Sequence, residues 1–480
     1  MNTDLRDWIV AVQATGEIKT LSGADWNREI GTLVELNAKA RGPALLFDEI
    51  KGYPAGFRLL AGAMSSARRL ALTLGLPPDL EGLELIRCMK DSMRGWNDRL
   101  GDFPPVEVQS GVVFENVDAE EKTNLLKFPS PLWHEEDGGR YIGTGSVAIM
   151  RDPESGWINL GTYRIMVHDE KSAGIFMAPG HHGGIIMKKY WKAGKPCPIA
   201  VSAGHHPLIF FAGSSSLPAE TSEYNYVGSI LKESVPVVTG PVTGLPIPAY
   251  SEVAFEGHLF PDEMKTEGIF GEWPGYYVSE AKPEPVIRVK AVYHRNDPIL
   301  LGAWPGKPPH DSTYRNSIIK SASLWELLER ARIHGVTGVY RPEAGGANLL
   351  TIVRIKQLYD GHARQVGTVA SQLLHPSHST RYVIVVDDGL DITNLEEVMW
   401  AVCTRSDPAR SIAIIDQTHA NALDPMVRSR YDKAAGNTAS CAIIDACWPY
   451  RALAKVPKVA ESSEEFKKQV KAKWRGKLSL

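Results

Sequence analysis

Between residues 106 and 299 the chain adopts one rhythm and keeps it. Short β-rich segments, at 112–114, 148–151, 199–203, 252–256 and 286–293, alternate with turns rich in Gly and Pro. Strands of this length, punctuated this often, predict an antiparallel sheet or split barrel. Two helical inserts interrupt it, one around 185–193 and one at 221–231.

The flanks read differently. Residues 1–113 predict an α/β region. Its first helix, 4–13, has apolar positions Leu5, Trp8, Ile9 and Val12 at helical spacing. A strand follows at 44–47, then a helix at 66–74 that Gly75 can end. Residues 300–322, rich in Pro and Gly at their start, read as a linker. The part from 323 to 461 is α/β again. Ser323 to Glu326 matches a capping box, with Gly335 as the stop for that helix. The apolar run 382–386 predicts a strand covered on both faces, and 411–415 and 440–444 predict further buried strands. A last helix within 462–480 sets Phe466, Val470 and Trp474 on one stripe, which predicts docking onto a second subunit. The expected units are therefore 1–113, 114–299, the linker, 323–461 and the terminal helix.

Composition narrows the class. The chain has 480 residues, 43% hydrophobic and 23% charged, as expected of a folded protein of two or three domains. A net charge of −3 gives no general basic field for nucleic acid. The N-terminus has no apolar signal core, and apolar runs such as 207–213 are too short to span a bilayer. The expectation is a cytoplasmic protein with no membrane partner. Cys88, Cys197, Cys403, Cys441 and Cys447 are odd in number and scattered, so neither a disulfide framework nor a zinc site is expected.

Within 157–272 the polar residues concentrate. Asn159, His182 and Glu223 form a mixed oxygen and nitrogen set that suits Mn²⁺ or Mg²⁺, ions that bridge protein ligands to phosphate oxygens. The plainer reading is a turn Asn, a surface His and a Glu at a helix start. His181 rivals His182, and the spacing leaves the choice open. The turn Ser215, Ser216, Leu217 and Pro218 follows Gly213, where small residues allow close approach to a ring or phosphate. Arg164 offers a planar fork that matches a carboxylate, and Glu267 and Glu272 can face one cavity with it. One glutamate would hold the Arg and the other carry a proton; the plainer reading is a surface ion pair and an exposed Glu. The run from Asp387 to Asp391 lacks the ligands of an EF-hand and reads as a turn that caps the next helix.

Taken together, W-I-N-L-G-T-Y-R, P-G-H-H-G, S-E-Y, E-G-I-F-G-E-W-P-G-Y and V-V-D-D-G-L-D-I-T-N resemble the UbiD family of prenylated-FMN-dependent (de)carboxylases. The resemblance implies an α/β (α+β) fold. In it a central split β-barrel flavin domain lies between an N-terminal α/β region and a C-terminal α/β oligomerisation domain. It implies that Asn159, His182 and Glu223 hold the metal, Mn²⁺ or Mg²⁺, with K⁺ also bound. Gly161, Thr162, Tyr163, Arg164, His181, Ser215, Ser216, Leu217 and Pro218 join them around prenylated FMN. Arg164, Glu267 and Glu272 are then catalytic. Some members have Asp where Glu272 stands, and the family's lysine near the cofactor phosphate finds no match. The implied activity is reversible, non-oxidative decarboxylation of an aromatic, heteroaromatic or α,β-unsaturated acid. A homodimer or homohexamer is implied, supplied with cofactor by a flavin prenyltransferase. A metal-dependent hydrolase and a non-catalytic flavin- or metal-binding scaffold are the alternatives. The substrate stays open, with the loop 304–310 expected to contribute a side chain to its pocket.

Overall fold

The structure is a computed structural model and describes residues 4–178, 180–373 and 380–475. Pro179, within the histidine motif, and 476–480, at the end of the last unit, lie outside the described residues.

The fold is mixed α/β. Its centre is an antiparallel sheet in the order Arg140–Gly143, Arg164–Asp169, Ser172–Phe176, Lys282–His294, Val253–Glu267, Cys197–Gly204, Val147–Arg151, Ile158–Gly161. Asn116–Ala119 pairs alongside Lys282–His294. The connectivity forces a curl. Ile158–Gly161 is one edge and Arg164–Asp169 lies next to the opposite edge, six strand spacings away, or about 29 Å in a flat sheet. Only Thr162 and Tyr163 join those two strands, and three Cα steps reach at most about 11 Å. The sheet therefore curls into a half-barrel whose margins nearly meet at residues 161–164.

The strand Val147–Arg151 is covered on both faces. Along Val147–Arg151, Val147 and Ile149 enter one hydrophobic cluster while Ala148 and Met150 enter another, as alternation along a strand requires. Burial on both faces hides the polar–apolar alternation that a half-exposed strand would show. The longest strands, Val253–Glu267 and Lys282–His294, carry register shifts at Glu256/Gly257 and between Leu259 and Met264. Such bulges break period-two patterning, so only 252–256 and 286–293 were legible as strands. Residues 112–114, expected as a strand, form a 3-10 turn.

The N-terminal helix begins at Leu5 with Asp4 as its cap. Helix Ala67–Leu74 is capped by Ser66 and stopped by Gly75 at φ +66°. The 300–322 stretch is not a bare linker. Ile299–Leu301 pairs in parallel with Arg58–Ala61 and so completes the N-terminal sheet. Helix Thr313–Arg330 then runs through Ser323, which is helix interior rather than a cap, and it ends well before Gly335. Its ion pairs from Glu329 to Lys90 and Arg94 fasten it to helix Gly82–Asn97.

The C-terminal sheet has the order Val336–Tyr340, Leu350–Ile355, Tyr382–Asp387, Thr438–Ala446, Ile412–His419. Its centre is parallel and both margins are antiparallel. Tyr382–Asp387 is central and buried, as expected. Ile412–His419 is an edge strand with Ile414 64% exposed, a correction to its reading as buried. Helix Glu464–Trp474 leaves Phe466 and Trp474 exposed. Among the described residues, no helix is long and apolar enough to cross a membrane.

Candidate active site

The near-meeting of the sheet margins brings the chemistry together. Asn159 lies on the edge strand Ile158–Gly161, and Arg164 begins the strand on the other side of the gap. Gly161, Thr162 and Tyr163 span it. The Tyr163 ring fills the gap so closely that a Cβ on Gly161 would lie 2.4 Å from it, and one on Gly183 would lie 2.7 Å from its oxygen. Gly183 N–H donates to Tyr163 Oη at 3.0 Å, which fixes the start of helix His182–Lys192 against the gap. Burial pushes the Tyr163 phenol up to about 12.

Arg164 is clasped from two sides. Its Nε donates to Glu267 Oε1 at 2.6 Å and its Nη2 to Glu267 Oε2 at 3.0 Å, a two-pronged pair. Its Nη1 donates to Glu272 Oε1. The guanidinium carbon lies 4.4 Å over the Phe176 ring and 5.1 Å from that of Phe270. All three charged side chains are buried. Burial pushes the carboxyls of Glu267 and Glu272 above the usual range, outweighing the pull of Arg164. For Arg164 burial acts the other way, but the two carboxylates overcome it and the group stays charged. Two carboxyls sharing one cation in a dry site favour holding one proton between them. Three of the five guanidinium N–H groups are engaged, so two remain for a ligand carboxylate. Phe176, Phe270 and Tyr141, whose ring centre lies 4.3 Å from that of Phe270, belong to the site and carried no signal in the sequence, where they read as core aromatics.

On the other margin, Glu223 opens helix Glu223–Leu231 and reaches back to the edge strand. It accepts from Asn159 Nδ2 at 2.9 Å and from the Leu160 N–H at 2.7 Å. Glu223 and Asn159 are 3% and 2% exposed. With only these neutral donors on it, burial lifts the Glu223 carboxyl to about 8. The Asn159 amide oxygen is buried and has no hydrogen-bond partner among the described residues. His182 packs edge-on against Trp157 at 4.9 Å; Trp157 and Asn159 are two residues apart and share a side of the extended chain. His181 is exposed and tilts toward Tyr163 at 6.1 Å. Among the described residues no three His, Cys, Asp or Glu gather as a metal cluster; a metal here depends on the Asn amide. An orphaned amide oxygen beside a carboxyl that lacks a cation fits that role.

The turn after helix Pro207–Gly213 faces the same gap: Thr162 N–H donates to the Gly213 carbonyl at 3.1 Å. Ser215 Oγ bonds back to Phe211 O, while Ser216 and Pro218 are exposed and Leu217 is half-buried. The loop 304–310 does pack on the Glu272 segment. His310 is buried, its Nε2 lies 3.3 Å from the Trp273 carbonyl, and burial holds it down at about 4.

This arrangement fits a family. Models of the 3-octaprenyl-4-hydroxybenzoate carboxy-lyase match three segments: the N-terminal domain at 9–89, the Rift-related domain at 105–308 and the C-terminal domain at 313–446. The chain belongs to the UbiD family of carboxy-lyases. It is 30% identical to a pyrrole-2-carboxylic acid decarboxylase of Pseudomonas aeruginosa over 90% of this chain and 89% of that one. It is 31% identical to a phenolic acid decarboxylase of Bacillus subtilis, over 88% and 89%. Among solved structures, the UbiD-class enzyme HmfF of Pelotomaculum thermopropionicum in complex with FMN superposes with a TM-score of 0.86, at 26% identity and over 97% and 98% of the two chains. An evolved dimeric form of that enzyme, in complex with prFMN, gives 0.83 at 25% identity over the same shares.

Proposed function

We propose that the protein is a prenylated-FMN-dependent decarboxylase of aromatic or heteroaromatic acids, with α,β-unsaturated acids in the same chemical class. The observation that carries it is the buried Arg164 held between Glu267 and Glu272 at the sheet gap. Loss of CO2 from an sp² carbon leaves an electron pair that side chains stabilise poorly; prenylated FMN, when bound, supplies the electron sink. Arg164 binds the substrate carboxylate through its two remaining N–H groups. Glu267 fixes the guanidinium plane. Glu272 gives its carboxyl proton to the carbon that lost CO2, and its raised pKa keeps that proton available. Phe176 and Phe270 keep water from the guanidinium. The reaction is reversible in principle.

The same reading places Asn159, His182 and Glu223 on a Mn²⁺ or Mg²⁺ ion that ties the cofactor phosphate to the protein, with K⁺ beside it. The chemistry of the donors supports the set. Gly161, Thr162, Tyr163, His181 and the turn Ser215–Pro218 line the cofactor. A flavin prenyltransferase supplies it, in the cytoplasm. The exposed stripe on helix Glu464–Trp474 joins subunits into a homodimer or homohexamer. Deleting residues from 462 onward should lower the assembled mass in light scattering; unchanged mass would reject the helix as a joint.

Co-expression with a flavin prenyltransferase and a screen of acids tests the function. Release of CO2, with solvent deuterium entering the product, is the expected result. A chain that binds flavin but turns over no acid is a scaffold. A flavin-free chain that cleaves esters or amides with metal alone is a hydrolase.

A further inference from the structure

On the reading above, Arg164 meets the one carboxylate that leaves as CO2. Two further cations lie deep in the molecule, and the proposed chemistry leaves them unused. Arg315 and Lys320 stand on helix Thr313–Arg330, which begins just after His310. Among the described residues no carboxylate makes an ion pair with either; their hydrogen bonds go to Asn316 and Asn348.

Arg315 is 4% exposed. Its Nε and Nη2 reach only the amide oxygen of the adjacent Asn316, at 3.3 and 3.2 Å. Its Nη1 is buried and has no hydrogen-bond partner among the described residues. The guanidinium carbon lies 4.8 Å from the centre of the Phe210 ring. Burial holds Arg315 down at about 10. Asp311, the carboxyl that pulls it back, is committed to the Trp304 N–H at 2.9 Å. Lys320 Nζ donates to Asn348 Oδ1 at 2.6 Å, which leaves two of its three N–H groups. Burial, then Arg341 and Arg315, push the Lys320 amine well below its usual range, yet the residue is only half-buried. Deep placement with surface to spare means a space inside the fold.

Two chains of contact lead from the sheet gap to these cations. The first starts at Thr162, whose N–H the Gly213 carbonyl holds; helix Pro207–Gly213 then runs back to Phe210 and so to Arg315. The second starts at Glu272, whose next residue is Trp273. The Trp273 carbonyl lies 3.3 Å from His310 Nε2, and a Cβ on Gly346 would lie 2.6 Å from the Trp273 ring. The Gly346 carbonyl accepts from Asn348 Nδ2 at 3.1 Å, and Asn348 holds Lys320. The cations thus adjoin both the segment that carries Glu272 and the helix that ends beside the gap.

A buried cation without a partner is costly, and a second cation beside it adds to the cost. A fold keeps such a pair where an anion comes to it. In the reading above, the cofactor phosphate has its own ion set on the Glu223 margin and the leaving carboxylate has Arg164. We propose, on that decarboxylase reading, that Arg315 and Lys320 form an anion subsite for a second carboxylate on the substrate, so that the protein selects dicarboxylic ring acids. Arg315 offers the unused edge of its planar fork, and Lys320 a point charge with two free donors.

The test offers the flavin-loaded protein ring acids with and without a second carboxylate, benzoate against terephthalate among them. The wild type should favour the dicarboxylates by about 10-fold or more in kcat/KM, and terephthalate should raise its melting temperature more than benzoate does. Lys320→Met and Arg315→Gln should each remove most of that preference, chiefly through KM, while keeping their flavin and losing the extra melting shift. Without any acid, both should melt no lower than the wild type, because each loses a charge that the empty fold does not compensate. Equal or better use of monocarboxylates by the wild type overturns the subsite and leaves the decarboxylase reading standing. Loss of flavin in both variants gives the cations to the cofactor phosphate, and lower melting of both with the preference intact makes them structural; either result overturns the subsite. If no acid of either kind releases CO2, the decarboxylase reading fails, while the melting shift, which needs no turnover, still decides whether the cations bind a carboxylate.

Discussion

Glu267 and Glu223 are almost equally buried, at 1% and 3% exposed, and the fold treats them in opposite ways. Glu267 meets a guanidinium fork from its own chain. Glu223 meets an amide N–H and a backbone N–H, and no cation among the described residues. Leaving a buried carboxylate without a counter-charge is costly, and the Glu223 carboxyl accordingly rises to about 8. Beside it, the Asn159 amide oxygen has no hydrogen-bond partner among the described residues. One margin of the sheet gap thus carries a closed ion network, while the other holds its carboxyl with neutral donors. On the proposed reading, the first acts on a substrate carboxylate. On the same reading, the second takes a divalent ion.

The largest effect should come from breaking the Arg164 side. Arg164→Ala should abolish decarboxylation, and it leaves two buried carboxyls with no cation, a loss of about 3–5 kcal/mol in denaturant unfolding. Arg164→Lys should keep the charge and still lose most of the rate, because an ammonium cannot hold Glu267 with two prongs and a ligand as well. CO2 release and urea melts on both variants separate the chemical loss from the structural one. Glu272→Gln comes next. It keeps the shape but carries no acidic proton, so turnover should fall by about 10²- to 10⁴-fold. Glu267→Gln should be milder than either, since it orients the guanidinium and transfers nothing.

The Glu223 side should fail differently. Glu223→Gln should lower metal and flavin content together, by elemental analysis and absorbance, because it removes the charged ligand. His182→Ala should do the same and His181→Ala should not; the reverse order would hand the site to His181. A smaller effect distinguishes the two margins by pH. The Glu223 carboxyl is raised in the fold, so between about 4.5 and about 8 the folded state holds a proton that the unfolded chain has released. Stability from this group is present below that window and lost as pH rises through it. Metal-stripped protein should melt at progressively lower temperature across the window, and Mn²⁺ should flatten the trend. A trend that Mn²⁺ leaves unchanged would assign the loss to other carboxyls.

The sequence made some of this legible. Apolar spacing at 4–13 and the stop at Gly75 for 66–74 place those helices to within a residue of Leu5–Gln13 and Ala67–Leu74, because these signals are local. The polar site residues stood out as Arg, Glu, Asn and His spread among Gly-rich turns. What joined them did not. The curl that sets Arg164 beside the Asn159 strand is a property of strand order, which no local window contains. Ser323 reads as a helix start because helix Thr313–Arg330 carries a cap-like tetrad in its interior. Phe176 and Phe270 read as core. Their roles come from three-dimensional neighbours.

The most direct test of the central claim, that the Arg164 side alone performs the proton and carboxylate chemistry, is a single-turnover experiment. Flavin-loaded wild type and Glu272→Gln are mixed with one decarboxylated acid, and CO2 and product C–H formation are followed in parallel. The wild type should release CO2 and form product together, while the variant should form almost no product and retain its metal and flavin in full. Product formed by Glu272→Gln at the wild-type rate would contradict the claim.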